Sequence, residues 1–168
     1  MKGQNNPPML TLRNLLAALL LVCGSLTAHA QFQFGGGAHL GLNFNQFGVQ
    51  ARGQYTVNET WRGAANFTFY FPEVGTAWEF NPNAHYVFLN DETKTVYALA
   101  GLGIYRFGLG NDDLGLGGLG IRTSFTDVGL NVGGGINLPL GPVTGYAEAK
   151  FGIGGSEFGV SVGVLFGN

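Results

Sequence analysis

The chain has 168 residues, of which 30 are glycine, 13% are aromatic and 11% are charged. Soluble domains average about 7% glycine and 25% charged residues, so this balance argues against an ordinary soluble enzyme. Eight basic residues against ten acids give a formal net charge of −2, which offers nucleic acid no basic patch.

The N-terminal stretch reads as an address. Lys2 and Arg13 stand in a segment without acids, Leu15 to Val22 is a short apolar run, and Ala28-His29-Ala30 precedes Gln31. That order is a secretory signal with cleavage expected after Ala30, leaving residues 1–30 as a removable leader and 31–168 as one barrel domain. The apolar run is shorter than the roughly 20 residues a spanning helix needs. Cys23 raises the alternative of lipoprotein processing, but that signal wants a small residue before the cysteine, and Val22 stands there. Without its leader the chain keeps no thiol, which excludes a disulfide framework and cysteine-based metal sites. It keeps six basic residues and ten acids, a net charge of −4, and 28 glycines.

Beyond Ala30 no run of 18 apolar residues occurs and no useful length keeps a 3.6-residue period. The pattern is instead a two-residue alternation in eight segments. The first strand is expected from Phe34 to Phe44, with Ala38, Leu40, Leu42 and Phe44 on one face and His39, Gly41 and Asn43 on the other. After a tight connection at Asn45-Gln46, the second runs from Phe47 to Val57. Phe47, Val49, Ala51, Tyr55 and Val57 face one way, and Gln50, Arg52, Gln54 and Thr56 the other. The third, Trp61 to Phe71, sets Trp61, Ala65, Phe67, Phe69 and Phe71 against Arg62, Asn66, Thr68 and Tyr70.

The fourth, Trp78 to Phe88, sets Trp78, Phe80, Ala84, Tyr86 and Phe88 against Glu79, Asn81, Asn83 and His85. Pro82 removes a ladder donor there and should mark a bulge or a locally frayed pairing. The fifth, Val96 to Arg106, is ambiguous. Val96, Ala98, Ala100, Leu102 and Ile104 are favoured on the apolar face, because the rival set of Tyr97, Leu99, Tyr105 and Phe107 shares its face with Gly101 and Gly103. Gly108 to Phe125 reads as a long irregular loop. The sixth strand, Val128 to Leu138, opposes Val128, Leu130, Val132, Ile136 and Leu138 to Asn131, Asn137 and three glycines. The seventh, Val143 to Ile153, opposes Ala147, Ala149, Phe151 and Ile153 to Thr144, Tyr146, Glu148 and Lys150. The last, Phe158 to Phe166, is the cleanest: nine strictly alternating residues with an aromatic at each end. That length suits a tilted membrane strand of about 9–11 residues.

A soluble barrel hides its apolar face and shows a polar one. Here the bulky face is too large to fit inside eight strands, whose interior holds only side chains. The other face carries Arg52, Arg62, Glu79, Glu148 and Lys150 with glycines and short polar residues. The fold expected is therefore an all-β, eight-stranded antiparallel up-and-down transmembrane β-barrel, closed so that no strand edge meets lipid. A lipocalin-like barrel is the soluble alternative. Short turns at Asn58, Asn90 and Gly141 would face the periplasm, and connections at Asn45, Pro72, Gly108 and Gly154 the outside.

Several runs resemble the small outer-membrane β-barrel (porin-like) family. They are Gly129 to Gly135, Leu138 to Pro142, Tyr146 to Phe151, Asn81 to Tyr86 and Tyr97 to Gly101. The resemblance covers the chain beyond Ala30. It implies a Gram-negative outer membrane, lipid and surface glycolipid as surroundings, and insertion by the barrel-assembly machinery. Members of the family usually finish on an aromatic residue, whereas here Phe166 is followed by Gly167-Asn168.

Catalytic and cofactor signals are weak. His39 and His85 have no ligand-spaced partners and read as lumen polar residues. Gly115 to Gly120 matches a dinucleotide glycine pattern but no helix follows, so it reads as a loop. Asn111-Asp112-Asp113 lacks the ligand series of a calcium loop. Ser124, Ser156 and Ser161 have no base–acid arrangement. The chain is thus expected to be no enzyme, with no cofactor and no metal. Two readings remain: a structural or surface-interaction barrel with a side-chain-filled lumen, or a narrow porin-like channel for small solutes. Inward charges of both signs favour the first. Arg52 with Glu148 and Lys150 with Glu79 are expected to pair across the lumen, with Gln50, Gln54, Asn66 and Arg62 in the same polar network. The Gly108–Phe125 loop is the natural surface for a protein partner.

Overall fold

A computed structural model of the chain describes residues 31–43, 45–109, 123–154 and 158–167. The strands are β1 (Gln31–Gly41), β2 (Gln46–Thr56), β3 (Trp61–Tyr70), β4 (Thr76–Asn90), β5 (Thr95–Leu109), β6 (Thr123–Leu140), β7 (Val143–Gly154) and β8 (Gly159–Phe166). Each pairs antiparallel with its neighbours in sequence, and β8 closes on β1. The fold is a closed, all-β, eight-stranded up-and-down barrel.

The large side chains of the described strands take the expected faces, while Asn43, expected inward at the end of the first strand, is exposed in the turn after it. Phe67, Phe69, Leu130, Val132, Phe151 and Val162 are exposed on the outer wall, while Arg52, Glu79, Glu148 and Lys150 are each 5% exposed or less inside. In β5, Tyr97, Leu99 and Tyr105 are buried and Leu102 is exposed, so the favoured facing is the one found.

Strand limits differ from expectation at several ends. β1 begins three residues early, at Gln31, and ends at Gly41, with Leu42 and Asn43 in the following turn. Phe44 lies outside the described residues. The expected Gly108–Phe125 loop is shorter than read, because Gly108 pairs with Ser124 and Leu109 with Thr123. The β5–β6 ladder continues past the glycines, since pairing satisfies backbone groups that would otherwise need other partners. Residues 110–122, with Asn111-Asp112-Asp113 and Gly115 to Gly120, lie outside the described residues, as do Ser156 and Glu157.

The barrel has two distinct ends. One carries both termini of the sheet and short turns. There Asn58 Oδ1 accepts hydrogen bonds from Thr60 N at 2.9 Å and Trp61 N at 2.8 Å, and Asp91 Oδ1 accepts from Thr93 N at 2.8 Å and Lys94 N at 2.9 Å. Gly141 takes φ 72° in the β6–β7 turn, a left-handed conformation suited to glycine. The other end carries the longer connections.

Pro82 interrupts the ladder without shifting it. Phe80 pairs with Ile104 and Asn83 with Gly101, but the intervening Asn81 and Pro82 have no β5 partners. Register places Pro82 opposite Leu102, and proline has no N–H to give. Leu102 O instead accepts from the side chain of Asn131, at 2.8 Å from Nδ2. The bulge in this sheet lies elsewhere, where the register shifts between Val87 and Leu89.

Glycines on the inner face make room for aromatic rings. Tyr97 pairs with Gly135, and a Cβ there would run into the tyrosine hydroxyl. Tyr146 pairs with Gly163, which in turn pairs with Gly37. A Cβ at Gly37 would stand 2.7 Å from the Tyr146 hydroxyl.

Candidate functional site

The lumen is where polar chemistry collects, because alternation on each strand delivers every second side chain there. Two strands apart in one direction and further round in the other, β2, β4 and β7 each contribute charges. β7 supplies Glu148 and Lys150 from successive inward positions, β2 supplies Arg52, and β4 supplies Glu79.

Toward the loop end, Lys150 Nζ donates to both carboxylate oxygens of Glu79, at 2.7 and 2.8 Å, and to Asn81 Oδ1 at 2.9 Å. Tyr70 donates its hydroxyl to Glu79 Oε2 at 2.9 Å. Asn131 Nδ2 completes this layer, lying 2.8 Å from Asn81 Oδ1 and 3.2 Å from Asn83 Oδ1 while it also serves Leu102 O. Every donor of the ammonium therefore has an acceptor.

Toward the turn end, Arg52 Nη2 lies 2.9 Å from Glu148 Oε2 and 3.2 Å from the Tyr97 hydroxyl. Tyr97 itself donates to Glu148 Oε2 at 2.9 Å. The Arg52 guanidinium sits 4.5 Å from the centre of the Tyr146 ring, a cation–π distance. His85 stacks on Tyr97 with ring centres 4.3 Å apart, and its Nε2 lies 3.8 Å from Glu148.

The other expected members of the network are less evenly placed. Gln50 joins it: Nε2 donates to Thr68 Oγ1 at 3.1 Å and Oε1 accepts from the Tyr146 hydroxyl at 3.1 Å. Gln54 reaches Gln33 Oε1 at 3.3 Å, near the turn end. Asn66 is 2% exposed, and its Oδ1 has no hydrogen-bond partner among the described residues. Arg62 stands half-buried at the turn end, apart from both ion pairs. His39 and Ser161 form a further contact, Nδ1 to Oγ at 2.7 Å.

The tyrosines are what the expected site lacked. Tyr70, Tyr97 and Tyr146 each give a hydroxyl to a charged or amide group, and Asn81 and Asn131 tie the layers together. Their inward phase in the alternation was readable, but their partners were not, because those depend on the shear between strands. Among the described residues no group of three or more His, Cys, Asp or Glu is placed to hold a metal ion.

No protein-family model matches the chain, and no curated protein matches it. Solved structures do. The chain is similar to Ail, the attachment invasion locus protein of Yersinia pestis, in a crystal complex with the heparin analogue sucrose octasulfate. The TM-score is 0.57 and the identity 18%, over 82% of this chain and 95% of that one. It is similar to the N-terminal β-barrel domain of Pseudomonas aeruginosa OprF, with TM-score 0.56 and 16% identity over 83% and 96%. A de novo designed transmembrane β-barrel aligns with TM-score 0.57 and 11% identity over 82% and 95%. At these identities the likeness establishes the fold: that of the small eight-stranded membrane barrels.

Proposed function

We propose that the protein is an integral outer-membrane β-barrel whose lumen is filled by side chains and whose role is structural or surface-interactive rather than catalytic. The observation that carries this reading is the pair of ion contacts across the lumen, Lys150–Glu79 and Arg52–Glu148, at 2.7 and 2.9 Å. With Tyr97 and Tyr146 against the Arg52 pair and Asn131 against Asn81 beside Lys150, they fill space a solute would need. The apolar outer wall supports a lipid environment, since its exposed phenylalanines, valines and leucines have no place in water at that density.

In this reading the turn end faces the periplasm and the loop end faces outward, in contact with lipid and surface glycolipid. Residues 1–30 act as the export signal, removed near Ala30, and the barrel-assembly machinery inserts the rest. Ail, an attachment protein seen with a sulfated heparin analogue, supports a surface-contact role for a barrel of this size. The partner-binding segment is then 110–122 rather than the whole of Gly108–Phe125, because the flanking residues belong to the β5–β6 ladder.

The test is electrical. Purified protein in a planar bilayer should give no steady conductance. Stable channels of uniform size would overturn the filled-lumen reading and establish the narrow channel for small solutes instead. Recovery of the protein from the soluble periplasm on cell fractionation would overturn the membrane assignment. A pull-down from membranes with and without 110–122 would identify a surface partner.

A further inference from the structure

The two halves of the lumen differ in charge balance. Toward the loop end one ammonium meets one carboxylate. Toward the turn end Arg52 holds the buried carboxylate Glu148, while a second guanidinium, Arg62, stands half-buried apart from that pair. Arg62 has no ion-pair partner among the described residues. It lines a cavity of about 220 Å³ that opens at the turn end, together with Gln33, Thr56, Thr95, Asn137 and Thr144. Asn137 is 2% exposed, yet neither its Nδ2 nor its Oδ1 has a hydrogen-bond partner among the described residues, and Arg62 Nε is likewise enclosed without one. A buried amide with both ends unpaired is rare in proteins and calls for an explanation.

We propose that this cavity binds a small, singly charged oxyanion that carries a hydrogen-bond donor of its own, the chemistry shared by hydroxymonocarboxylates and dihydrogen phosphate. The Arg62 guanidinium balances the negative charge and forms charge-assisted hydrogen bonds with the oxygens. Asn137 Nδ2 donates to the same oxyanion, and Asn137 Oδ1 accepts from the ligand's hydroxyl. Bound water alone could pair these groups but would leave the Arg62 guanidinium without an anion in contact among the described residues. The volume exceeds the roughly 30 Å³ share of one water several-fold, enough for an ion of a few heavy atoms. Asp91 and Glu92 also line the cavity, from the β4–β5 turn. They disfavour multiply charged anions and so limit the ligand to low charge. Asp91 is already engaged by Thr93 and Lys94. The site does not depend on whether the lumen conducts, so the two ideas fail separately.

The test is titration of the folded barrel in detergent micelles with lactate and with inorganic phosphate, using chloride as the control. Saturable binding of either oxyanion is expected, and which one binds more tightly identifies the source. The side-chain amide resonances of Asn137 should shift, while those of Gln46, which lies toward the loop end, stay in place. Arg62→Gln should weaken binding by about tenfold or more, the usual scale of a charged hydrogen bond. Arg106→Gln, which removes an exposed arginine elsewhere, should leave it unchanged. Asn137→Ala supplies a second variant should Arg62→Gln fail to fold, and it too should weaken binding. Absence of saturable binding, Asn137 shifts matched by chloride, or equal weakening by Arg106→Gln would each overturn the proposal and leave ordered water only.

Discussion

Glu148 and Lys150 leave β7 two residues apart, enter the same lumen, and meet very different provision. Lys150 finds three acceptors, Glu79 Oε1, Glu79 Oε2 and Asn81 Oδ1, one for each ammonium proton. Arg52, the partner of Glu148, uses Nη2, while its Nε and Nη1 are buried without a partner among the described residues. The difference follows from the groups themselves. An ammonium is compact and has three donors; a guanidinium is a rigid fork with five. The two tyrosines against Arg52, Tyr97 and Tyr146, offer a hydroxyl and an aromatic face, not enough acceptors for the fork. One layer is closed by its geometry and the other is left with spare capacity.

The largest effect should separate the two layers. Lys150→Met removes the counter-charge of Glu79, which is 0% exposed, and leaves it only neutral donors such as Tyr70 and Asn81. Breaking a buried pair this way costs about 3–5 kcal/mol. Arg52→Met should fall at or below the low end of that range, because Glu148 keeps the Tyr97 hydroxyl and has His85 3.8 Å away. Reversible unfolding in lipid vesicles measures both. Double-mutant cycles should give a larger coupling for Lys150 with Glu79 than for Arg52 with Glu148, though Glu148→Ala and Arg52→Ala should still combine to less than their sum. An Arg52→Met cost above that of Lys150→Met would break the comparison.

The second effect contrasts inside with outside. Arginine is native at 52, where it is 3% exposed in the lumen. The same side chain at Val132, on the outer wall in the middle of β6, should cost about 2–4 kcal/mol in a bilayer. If Val132→Arg proved neutral in vesicles, the outer wall would not face lipid.

A third, smaller effect tests what closes the Lys150 layer. Asn131→Ala leaves Leu102 O without the donor that replaces the missing N–H of Pro82. An orphaned buried acceptor costs about 1–3 kcal/mol. Pro82→Ala restores a backbone donor and should shrink the cost of Asn131→Ala. An unchanged cost in the Pro82→Ala background would show that Asn131 acts through Asn81 and Asn83 alone.

The fold was largely legible because alternation of period two is a local signal. Phe158 to Phe166 shows it in nine residues, and facing followed even in β5, where Gly101 and Gly103 marked the inner face. The charged ends of the site were legible for a related reason: Arg52, Glu79, Glu148 and Lys150 share the inward phase, and antiparallel crossing sets their depth. What lay beyond reach was lateral. That Tyr97 stands over Gly135, or that Asn131 serves Leu102 opposite Pro82, depends on inter-strand stagger, which no single strand encodes. Strand ends were also hidden, as at Thr123 to Phe125, where pairing with β5 decides rather than composition.

The smallest effect takes the same contact outside the lumen. Lys94 Nζ lies 3.5 Å from Asp91 Oδ2 at the rim, with both side chains about 40% exposed. Lys94→Met should therefore be close to neutral, against a large loss for Lys150→Met, because water screens the exposed pair. Asp91 is more than a salt-bridge partner. The Thr93 hydroxyl above all, then the Thr93 and Lys94 amides and the Lys94 charge, hold its carboxyl down at about 2. A carboxyl lowered on folding contributes stability that is present above its ordinary value near 4 and lost as pH falls through its folded value. Wild type should thus exceed Asp91→Asn in urea midpoint by a constant margin above about pH 5. That margin should narrow below about pH 4, be mostly lost by about pH 2, where the folded carboxyl is half protonated, and vanish near pH 1, where both carry a neutral turn side chain. A margin undiminished at about pH 1 would mean that the Asp91 charge is not its source, and a Lys94→Met loss approaching that of Lys150→Met would mean that burial is not what separates the lumen pairs from the rim.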